Sequence, residues 1–338
     1  MNSMFDAVSF GEVMLRLTPP DQQKLAFSDS LLKHAGGAEL NVLTGISRLG
    51  MKTAMLTKLP DHALSQFIRQ QMRAAGVDDS FIAVDRDEQA RVGLYFYEQG
   101  VLPRKPSVVY DRKNSSVNRA VISDFPEELF EKARLFHISG ISLAISEACR
   151  QVSKQLIQRF RDGGAKISFD VNYRANLWSE EEAYQTITEI LPMVDILFIS
   201  EETSRRMFHK SGKLEDIMKS YCEEYGVSVV GTTRRTVVSP TCHHFGSVIY
   251  EADSKTFYTE PDYEGIQVID RIGSGDAFVA GALYGILCGD CQQAVQYGNA
   301  MAALKNTVFG DLPLTDREEV KRIILAHQAT GIQSEMDR

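Results

Sequence analysis

Residues 268–282 read VIDRIGSGDAFVAGA and form the most informative stretch of the sequence. A strand-like run meets a glycine-rich turn, which opens a helix whose early positions are mostly small residues. Gly273 and Gly275 can adopt backbone angles that direct several N–H groups toward one point, and the helix N-terminus adds its positive dipole end. Asp276 would either cap this helix or act as a base beside a bound anion. Taken by itself, such a turn more often caps a helix without binding any ligand.

The rest of the chain alternates short apolar runs with amphipathic helical patterns, which is typical of a largely parallel sheet with crossover helices. The predicted central strands are residues 5–10, 53–57, 135–139, 167–171, 196–200 and 227–230. The predicted helices are residues 38–49, 61–75 and 147–162, ended by Gly50, Gly76 and Gly163, followed by a helical region from 276 to about 326. We therefore predict an α/β fold, a doubly wound sheet with helices on both faces.

Two segments, at about residues 13–27 and 91–117, interrupt this alternation. The second contains two strand-like runs, 91–97 and 107–110, with no helix between them. Strands without crossover helices must pair with each other, so we predict a small antiparallel sheet that projects from the main one and acts as a lid. The whole chain, residues 1–338, is predicted to form a single domain that includes this lid.

Composition excludes several classes of protein. The 338-residue chain has a net charge of −8 and a pI near 5.5, which disfavours a nucleic-acid partner because such domains usually have a pI above about 9. The five cysteines are odd in number and scattered, unlike a disulfide framework. Residues 1–10 do not resemble a secretory signal, and no apolar run approaches the ~20 residues of a membrane span. We expect a soluble cytoplasmic protein with no membrane partner.

Several common phosphate-binding motifs are missing from the sequence. It contains no G-x-x-x-x-G-K-[ST] loop and neither the H-R-D nor the D-F-G element of protein kinases. The first predicted strand is followed by Gly11 and Glu12 instead of G-x-G-x-x-G, so a dinucleotide-binding unit has no support there.

Two segments resemble the signatures of one family. Residues 270–276, DRIGSGD, are similar to the D-T-x-G-A-G-D signature of the ribokinase-like (PfkB) sugar kinases, and residues 36–42, GGAELNV, are similar to their G-G-x-x-x-N signature. The order and separation of the two also match, and the resemblance covers nearly the whole chain. It implies a ribokinase-like fold and ATP-dependent phosphorylation of a sugar. Arg271 departs from the common Thr, and its effect on nucleotide contact is open.

The resemblance also assigns roles by position. It places Gly37 and Asn41 in the sugar site. It assigns phosphoryl transfer to Gly273, Ser274, Gly275 and Asp276, with Asp276 as the base that accepts the proton of the sugar hydroxyl.

Three further segments resemble the 2-keto-3-deoxygluconate kinases of this family: residues 93–95 (GLY), 110–112 (YDR) and 169–174 (FDVNYR). Arginine binds a planar carboxylate through paired hydrogen bonds, so Arg112 and Arg174 would recognise a sugar acid from opposite sides of the cleft. The predicted substrate contacts also include Tyr95, Tyr110 and Asp311. Each arginine alone would more often be a solvated surface charge, and alternating tyrosines on a strand usually form a packed face.

The nucleotide side is less well defined. Relatives often carry N-x-x-E after the strand at 196–200, but residues 200–203 here read SEET, so Glu201 or Glu202 would have to substitute and the magnesium ligands are unknown. The predicted nucleotide contacts are Asn172, Ser200, Thr233 and Arg234. A plain strand-to-loop connection explains residues 231–235 equally well.

The resemblance thus implies transfer of the ATP γ-phosphoryl group, with Mg²⁺, to the terminal hydroxyl of 2-keto-3-deoxygluconate. The alternatives are a kinase for a neutral sugar such as fructose or ribose, and a sugar-binding regulator of the same fold that has lost catalysis. An open edge of the lid sheet would also allow a homodimer.

Overall fold

The computed structural model describes residues 4–329. Residues 1–3 and 330–338 lie outside the described residues. The predicted single domain, residues 1–338, therefore extends beyond them at both ends, and the segment compared with a secretory signal, residues 1–10, extends beyond them at its start. None of the helices within the described range combines the length and the apolar character that crossing a bilayer requires.

An 11-stranded sheet forms the centre of the fold. We number all strands in chain order. The main sheet contains β1 (Phe5–Phe10), β4 (Thr53–Pro60), β5 (Val77–Asp78), β6 (Ile82–Asp85), β9 (Ala133–Ser139), β10 (Lys166–Asp170), β11 (Ile196–Phe198), β12 (Val229–Ser239), β13 (Cys242–Glu251), β14 (Thr256–Thr259) and β15 (Tyr263–Gln267). All six predicted central strands occur in it, with ends that differ by a few residues except at β12, which continues to Ser239 instead of ending at residue 230.

The strands of the main sheet run in the order β14-β13-β12-β11-β10-β9-β1-β4-β5, with β15 beside β13 and β6 beside β4. Pairing is parallel from β12 through β1 to β5, and antiparallel only where β13 joins its neighbours. The carboxyl ends of the parallel strands therefore lie along one edge, where open α/β sheets bind their ligands.

Helices cover both faces of this sheet, as predicted. They are α1 (Ala38–Arg48), α2 (Ala63–Ala74), α3 (Gly140–Ala144), α4 (Glu147–Asp162), α5 (Glu180–Ile190), α6 (Glu201–Arg206), α7 (Leu214–Tyr225), α8 (Ser274–Leu287), α9 (Cys291–Asn306) and α10 (Arg317–Gln328). One apolar core lies between the sheet and α1, α2 and α8–α10, and a second lies between the sheet and α4, α5 and α7. The glycine ending α4 in a left-handed conformation is Gly164, one residue after the predicted Gly163.

A second, four-stranded sheet has the order β3-β2-β7-β8. Its strands are β2 (Met14–Thr18), β3 (Leu32–Gly36), β7 (Gly93–Glu98) and β8 (Ser107–Asp111). The outer pairs are antiparallel as predicted, but β2 and β7 pair in parallel. The reason is that β2 follows β1 and β7 follows β6, two strands of equal direction in the main sheet, so both enter the second sheet from the same side.

Helix α8 is buried along most of its length because small residues let it approach its neighbours closely. A Cβ atom on Gly281 would lie 2.4 Å from the carbonyl oxygen of Tyr297 in α9. Since the obstructing atom belongs to backbone, a side chain there would force the two helices apart.

We predict that Gly281→Ala destabilises the protein by about 1–3 kcal/mol, the usual cost of overpacking a core. Urea unfolding monitored by circular dichroism measures this cost. Gly275→Ala in the same helix is the matched control, because its added methyl group would meet no atom within 4 Å. Equal unfolding midpoints for Gly281→Ala and the wild type would show that α8 and α9 are not held at this distance.

Candidate active site

A cleft of about 910 Å³ lies between the carboxyl edge of the main sheet and the second sheet. Both sheets and the start of α8 contribute to its walls. The predicted site residues that line it are Gly37, Asn41, Tyr95, Tyr110, Arg112, Asn172, Arg174, Ser200, Thr233, Gly273, Ser274, Gly275, Asp276 and Asp311. Residues far apart in the sequence are thus brought to one cavity.

The glycine turn at the start of α8 has one position that only glycine can occupy. Gly273 has a φ of +83°, and a Cβ atom there would lie 2.2 Å from the carbonyl oxygen of Asp311. Gly275 is different: it is exposed, its φ is not positive, and a Cβ atom would meet nothing within 4 Å. The turn therefore uses the conformational freedom of glycine at Gly273 and not at Gly275.

Asp276 lies in the first turn of α8, half-buried in the wall of the cleft. Its Oδ2 accepts a hydrogen bond of 2.7 Å from Nδ2 of Asn41. Burial raises the pKa of Asp276 to about 6, although the Asn41 hydrogen bond and the positive charge of Arg174 both oppose this rise. A carboxyl group with such a pKa is ionised at neutral pH and remains basic enough to accept a proton.

Asp170, at the end of β10, is a second carboxyl group in the cleft and was missed by sequence reasoning. Burial, followed by the negative charge of Asp276, raises its pKa to about 7. Its Oδ1 accepts the backbone N–H of Asn172 at 3.1 Å, and Asn172 has a φ of +36°. The available signal was the position of Asp170 at the carboxyl end of a predicted parallel strand.

Beneath the turn lies a buried ion cluster, defined here as Arg16, Asp270, Asp311 and Lys305. Nη1 of Arg16 is 2.6 Å from Oδ2 of Asp270 and 3.0 Å from Oδ1 of Asp311. The ammonium of Lys305 donates to the carbonyl oxygens of Asp270 and Val308, at 3.2 Å each. Since Arg16 belongs to β2, the cluster joins the second sheet to the glycine turn.

The carboxylate of Asp311, predicted to contact substrate, is already engaged on both oxygens. Arg16 holds Oδ1, and the hydroxyl of Tyr95 donates to Oδ2. Tyr95 is itself only 3% exposed, whereas Tyr110 is 43% exposed, with its ring centroid 5.8 Å from that of Tyr95. Tyr110 therefore offers the more accessible surface of the pair.

Arg112 and Arg174 lie in the same cleft but have different surroundings. Arg112 follows β8, forms an ion pair with the buried carboxylate of Glu12 and lies over the ring of Tyr110. Arg174 follows β10, is exposed, and its charge acts on both Asp170 and Asp276. The two guanidinium groups therefore belong to different walls of one cavity.

The segment that replaces N-x-x-E begins a short helix. The hydroxyl of Ser200 caps α6 by accepting the backbone N–H of Thr203 at 3.1 Å. Glu201 and Glu202 form ion pairs with Arg205 and Arg206, one turn further along. Within residues 4–329, no group of three or more acidic, histidine or cysteine side chains is placed to hold a metal ion.

The structure does not bring Arg234, a predicted phosphate contact, to the cleft. Arg234 forms a 2.9 Å ion pair with Asp262 and does not line the cleft. Thr233 and Arg235 do line it, because alternate residues of β12 point to the same face. Recognising that β12 continues to Ser239, past the predicted end at residue 230, would have identified Arg235.

Comparison with known proteins shows the family of the chain. The model of the pfkB family carbohydrate kinases matches residues 4–315. The chain is 35% identical to 2-dehydro-3-deoxygalactonokinase of Haloferax volcanii, over 94% of this chain and 96% of the relative. It is 30% identical to 2-dehydro-3-deoxygluconokinase of Bacillus subtilis, over 96% and 98% of the two chains.

The fold agrees as well. A solved structure of 2-dehydro-3-deoxygluconokinase from Thermotoga maritima superposes with a TM-score of 0.90 and 31% identity, covering 96% of this chain and 100% of the other. A structure of a putative ribokinase II from E. coli, at 21% identity and a TM-score of 0.83, shows the fold alone. The predicted ribokinase-like fold is thus confirmed, and the chain belongs to the pfkB family of carbohydrate kinases.

Proposed function

We propose that this kinase transfers the γ-phosphoryl group of ATP to the terminal hydroxyl of 2-keto-3-deoxygluconate, giving the 6-phosphate. The observation that carries the proposal is Asp276, a carboxyl group with raised pKa at the start of α8, in a cleft that Arg112 and Arg174 also line. The gluconokinases similar to this chain, from Bacillus subtilis and Thermotoga maritima, support the same substrate class.

Asp276 acts as the general base in this proposal. Its carboxylate accepts the proton of the sugar hydroxyl as the oxygen attacks the γ-phosphorus in line with the leaving group. The hydrogen bond from Asn41 fixes the orientation of the carboxylate. The backbone N–H groups at the start of α8, from Gly273 to Asp276, stabilise negative charge on the transferred group together with the positive end of the helix dipole.

Arg112 and Arg174 recognise the carboxylate of the sugar acid in this proposal, and Tyr110 contributes an accessible ring beside them. A guanidinium group binds a carboxylate with two parallel hydrogen bonds, which a neutral sugar cannot accept in the same geometry. The ion pair between Arg112 and Glu12 holds that arginine in place before substrate binds.

Mg²⁺ is the proposed metal cofactor and would bind together with ATP, where it would neutralise charge on the phosphate oxygens. The donor set fits an ion held mainly by substrate phosphates and water, as is common for Mg²⁺, because the described residues form no acidic cage. Ser200, Asn172 and Thr233 line the cleft beside the turn and remain predicted nucleotide contacts.

The second sheet is proposed to act as the lid, closing over substrate and excluding water from the transfer. All residues of its edge strand β8 are exposed, and Val109 is 55% exposed. An open, partly apolar strand edge can pair with a second copy, so a homodimer through the lid stays a prediction.

The C4 epimer, 2-keto-3-deoxygalactonate, is a second candidate substrate, favoured by the 35% identity to the Haloferax volcanii galactonokinase. Both epimers carry the carboxylate and the terminal hydroxyl on which the proposal depends. A neutral sugar has weaker support, from the 29% identity to a maize fructokinase. A regulator without catalysis would not need the ionisable Asp276.

We predict that Asp276→Asn lowers kcat by about 10² to 10⁴, the usual contribution of a positioned base. In the wild type, kcat/KM should fall tenfold per pH unit below about pH 6, because protonation of Asp276 removes the base. In Asn41→Ala this fall in kcat/KM should begin at a higher pH. The hydrogen bond from Asn41 favours the charged carboxylate, so its loss raises the pKa of Asp276. Near wild-type turnover in Asp276→Asn, measured by a coupled ADP assay, would exclude Asp276 as the base.

We further predict that Arg112→Ala or Arg174→Ala reduces kcat/KM for 2-keto-3-deoxygluconate by roughly 10- to 100-fold, as expected for a lost charge-assisted hydrogen bond of about 1.5–3 kcal/mol. Activity with fructose should change much less. Lysine at either position should restore only part of the preference for the sugar acid over fructose, because it keeps the positive charge but not the planar guanidinium that binds a carboxylate with two hydrogen bonds.

The measurement is kcat/KM for both acids and for fructose in the wild type and each variant. A wild type that prefers fructose, or variants that lose activity equally on all acceptors, would contradict recognition of a carboxylate. The assignment to the kinase family would stand in either case.

A further inference from the structure

Three arginine side chains that line the cleft, Arg174, Arg235 and Arg271, form no ion pair with a carboxylate among the described residues. Arg174 is assigned above to the sugar carboxylate, which leaves two to explain. Arg235 in β12 and Arg271 in the glycine turn both line the cavity. Among the described residues, neither guanidinium group forms an ion pair with a carboxylate. We refer to Arg235 and Arg271 as the arginine pair.

The other arginines near this wall are neutralised by carboxylates. Arg234 pairs with Asp262, Arg205 with Glu201, and Arg206 with Glu180 and Glu202. Each of these pairs lies within 4 Å, whereas the arginine pair faces the cavity. Arg206 and Arg112 line the cleft as well and are both paired, so the missing carboxylate distinguishes the arginine pair from other arginines of the same cavity.

The two guanidinium groups are also close enough to repel each other. Burial, followed by the positive charges of Arg271 and then Arg174, lowers the pKa of Arg235. Like charges that converge on a cavity without a counter-charge create a positive potential, which favours binding of an anion. The ligand of this wall should therefore carry several negative charges.

The proposed site of the sugar carboxylate is centred on another part of the cleft. Arg112 pairs with Glu12, just after β1, whereas Arg235 is in β12. Strands β9, β10 and β11 separate these two strands in the sheet, so at about 4.8 Å per strand their backbones are roughly 19 Å apart. An acid held at Arg112 therefore leaves the β12 side of the cleft to another group.

We propose that Arg235 and Arg271 bind the triphosphate chain of the nucleotide. Arg271 precedes Gly273 by two positions, so it stands beside the N–H groups at the start of α8. Guanidinium groups bind phosphate oxygens bidentately, and a triphosphate carries enough charge to balance both. The inference rests on the proposed function, since it assigns the phosphate donor to the β12 side of the same cleft.

This assignment gives a reason for Arg271, which stands where the family commonly has Thr. Fixed cationic side chains stabilise charge on a transferring phosphoryl group, so the arginine pair can supply part of that stabilisation directly.

The test uses full-length Arg235→Ala and Arg271→Thr, with Arg234→Ala as the matched control. Arg234 is adjacent in β12, and its loss changes the net charge equally, but it is paired with Asp262 away from the cleft. We expect KM for ATP to rise roughly 10- to 100-fold in the first two variants, with KM for the sugar changed less than about threefold. Arg234→Ala should resemble the wild type, and Arg235→Lys should recover part of the affinity.

A second measurement tests phosphate binding without sugar and without turnover. Inorganic tripolyphosphate is titrated calorimetrically into each protein, after circular dichroism and thermal melting have shown that the variants are folded. We expect the wild type and Arg234→Ala to bind it, with affinity at least tenfold weaker in Arg235→Ala and Arg271→Thr.

Unchanged tripolyphosphate affinity and unchanged KM for ATP in both variants would overturn the inference. So would a rise in KM confined to the sugar acid, which would place its carboxylate at the arginine pair. Failure of the proposed function can be told apart from failure of this inference. If the enzyme phosphorylates another acceptor, the KM for ATP is measured with that acceptor. The tripolyphosphate titration needs no acceptor and gives the same result.

Discussion

The ion pair of Arg16 with Asp270 and Asp311 is the contact on which the rest of the site depends. Asp270 also accepts the backbone N–H groups of Ile272 and Gly310, at 3.1 Å each, so it fixes the segments on both sides of the glycine turn. Arg16 is 1% exposed and comes from the second sheet. Removing one partner of a buried pair typically costs roughly 3–5 kcal/mol, because the remaining charge is left without compensation. Buried ion pairs therefore hold the second sheet against the glycine turn at the edge of the main sheet.

Charged side chains of both signs line the cleft. Arg112 pairs with Glu12 just after β1, Asp170 ends β10, and Arg235 belongs to β12. Burial raises the pKa of Asp170 and of Asp276, and the negative charge of Asp276 raises that of Asp170 further, whereas the positive charge of Arg174 opposes both rises. The two carboxyl groups are therefore kept near the pH at which they exchange protons by burial and by their mutual repulsion.

Local sequence patterns were sufficient to predict the main strands and helices, because apolar periodicity reports directly which face of an element is buried. They also identified Asp276, whose neighbours form a specific turn. They could not identify the contact of Arg16 with Asp311, which are 295 positions apart. They also did not show that Arg235 and not Arg234 lines the cleft. Which residue of a strand faces a cleft depends on register, and the sequence did not show that β12 extends so far.

The path of the chain limits how the second sheet can move. Only short links connect it to the main body, namely residues 11–13, residue 37, residues 86–92 and residues 112–115. Four covalent links and the buried pairing of Arg16 with Asp270 and Asp311 leave this sheet little freedom to slide against the main body. Gly37 lies in one of the links, and its backbone passes so close to Glu12 that a Cβ atom would lie 2.3 Å from the carbonyl oxygen of that residue. Closure of this sheet over a ligand would therefore have to be a rotation about the links in which Arg16 keeps its two carboxylate partners.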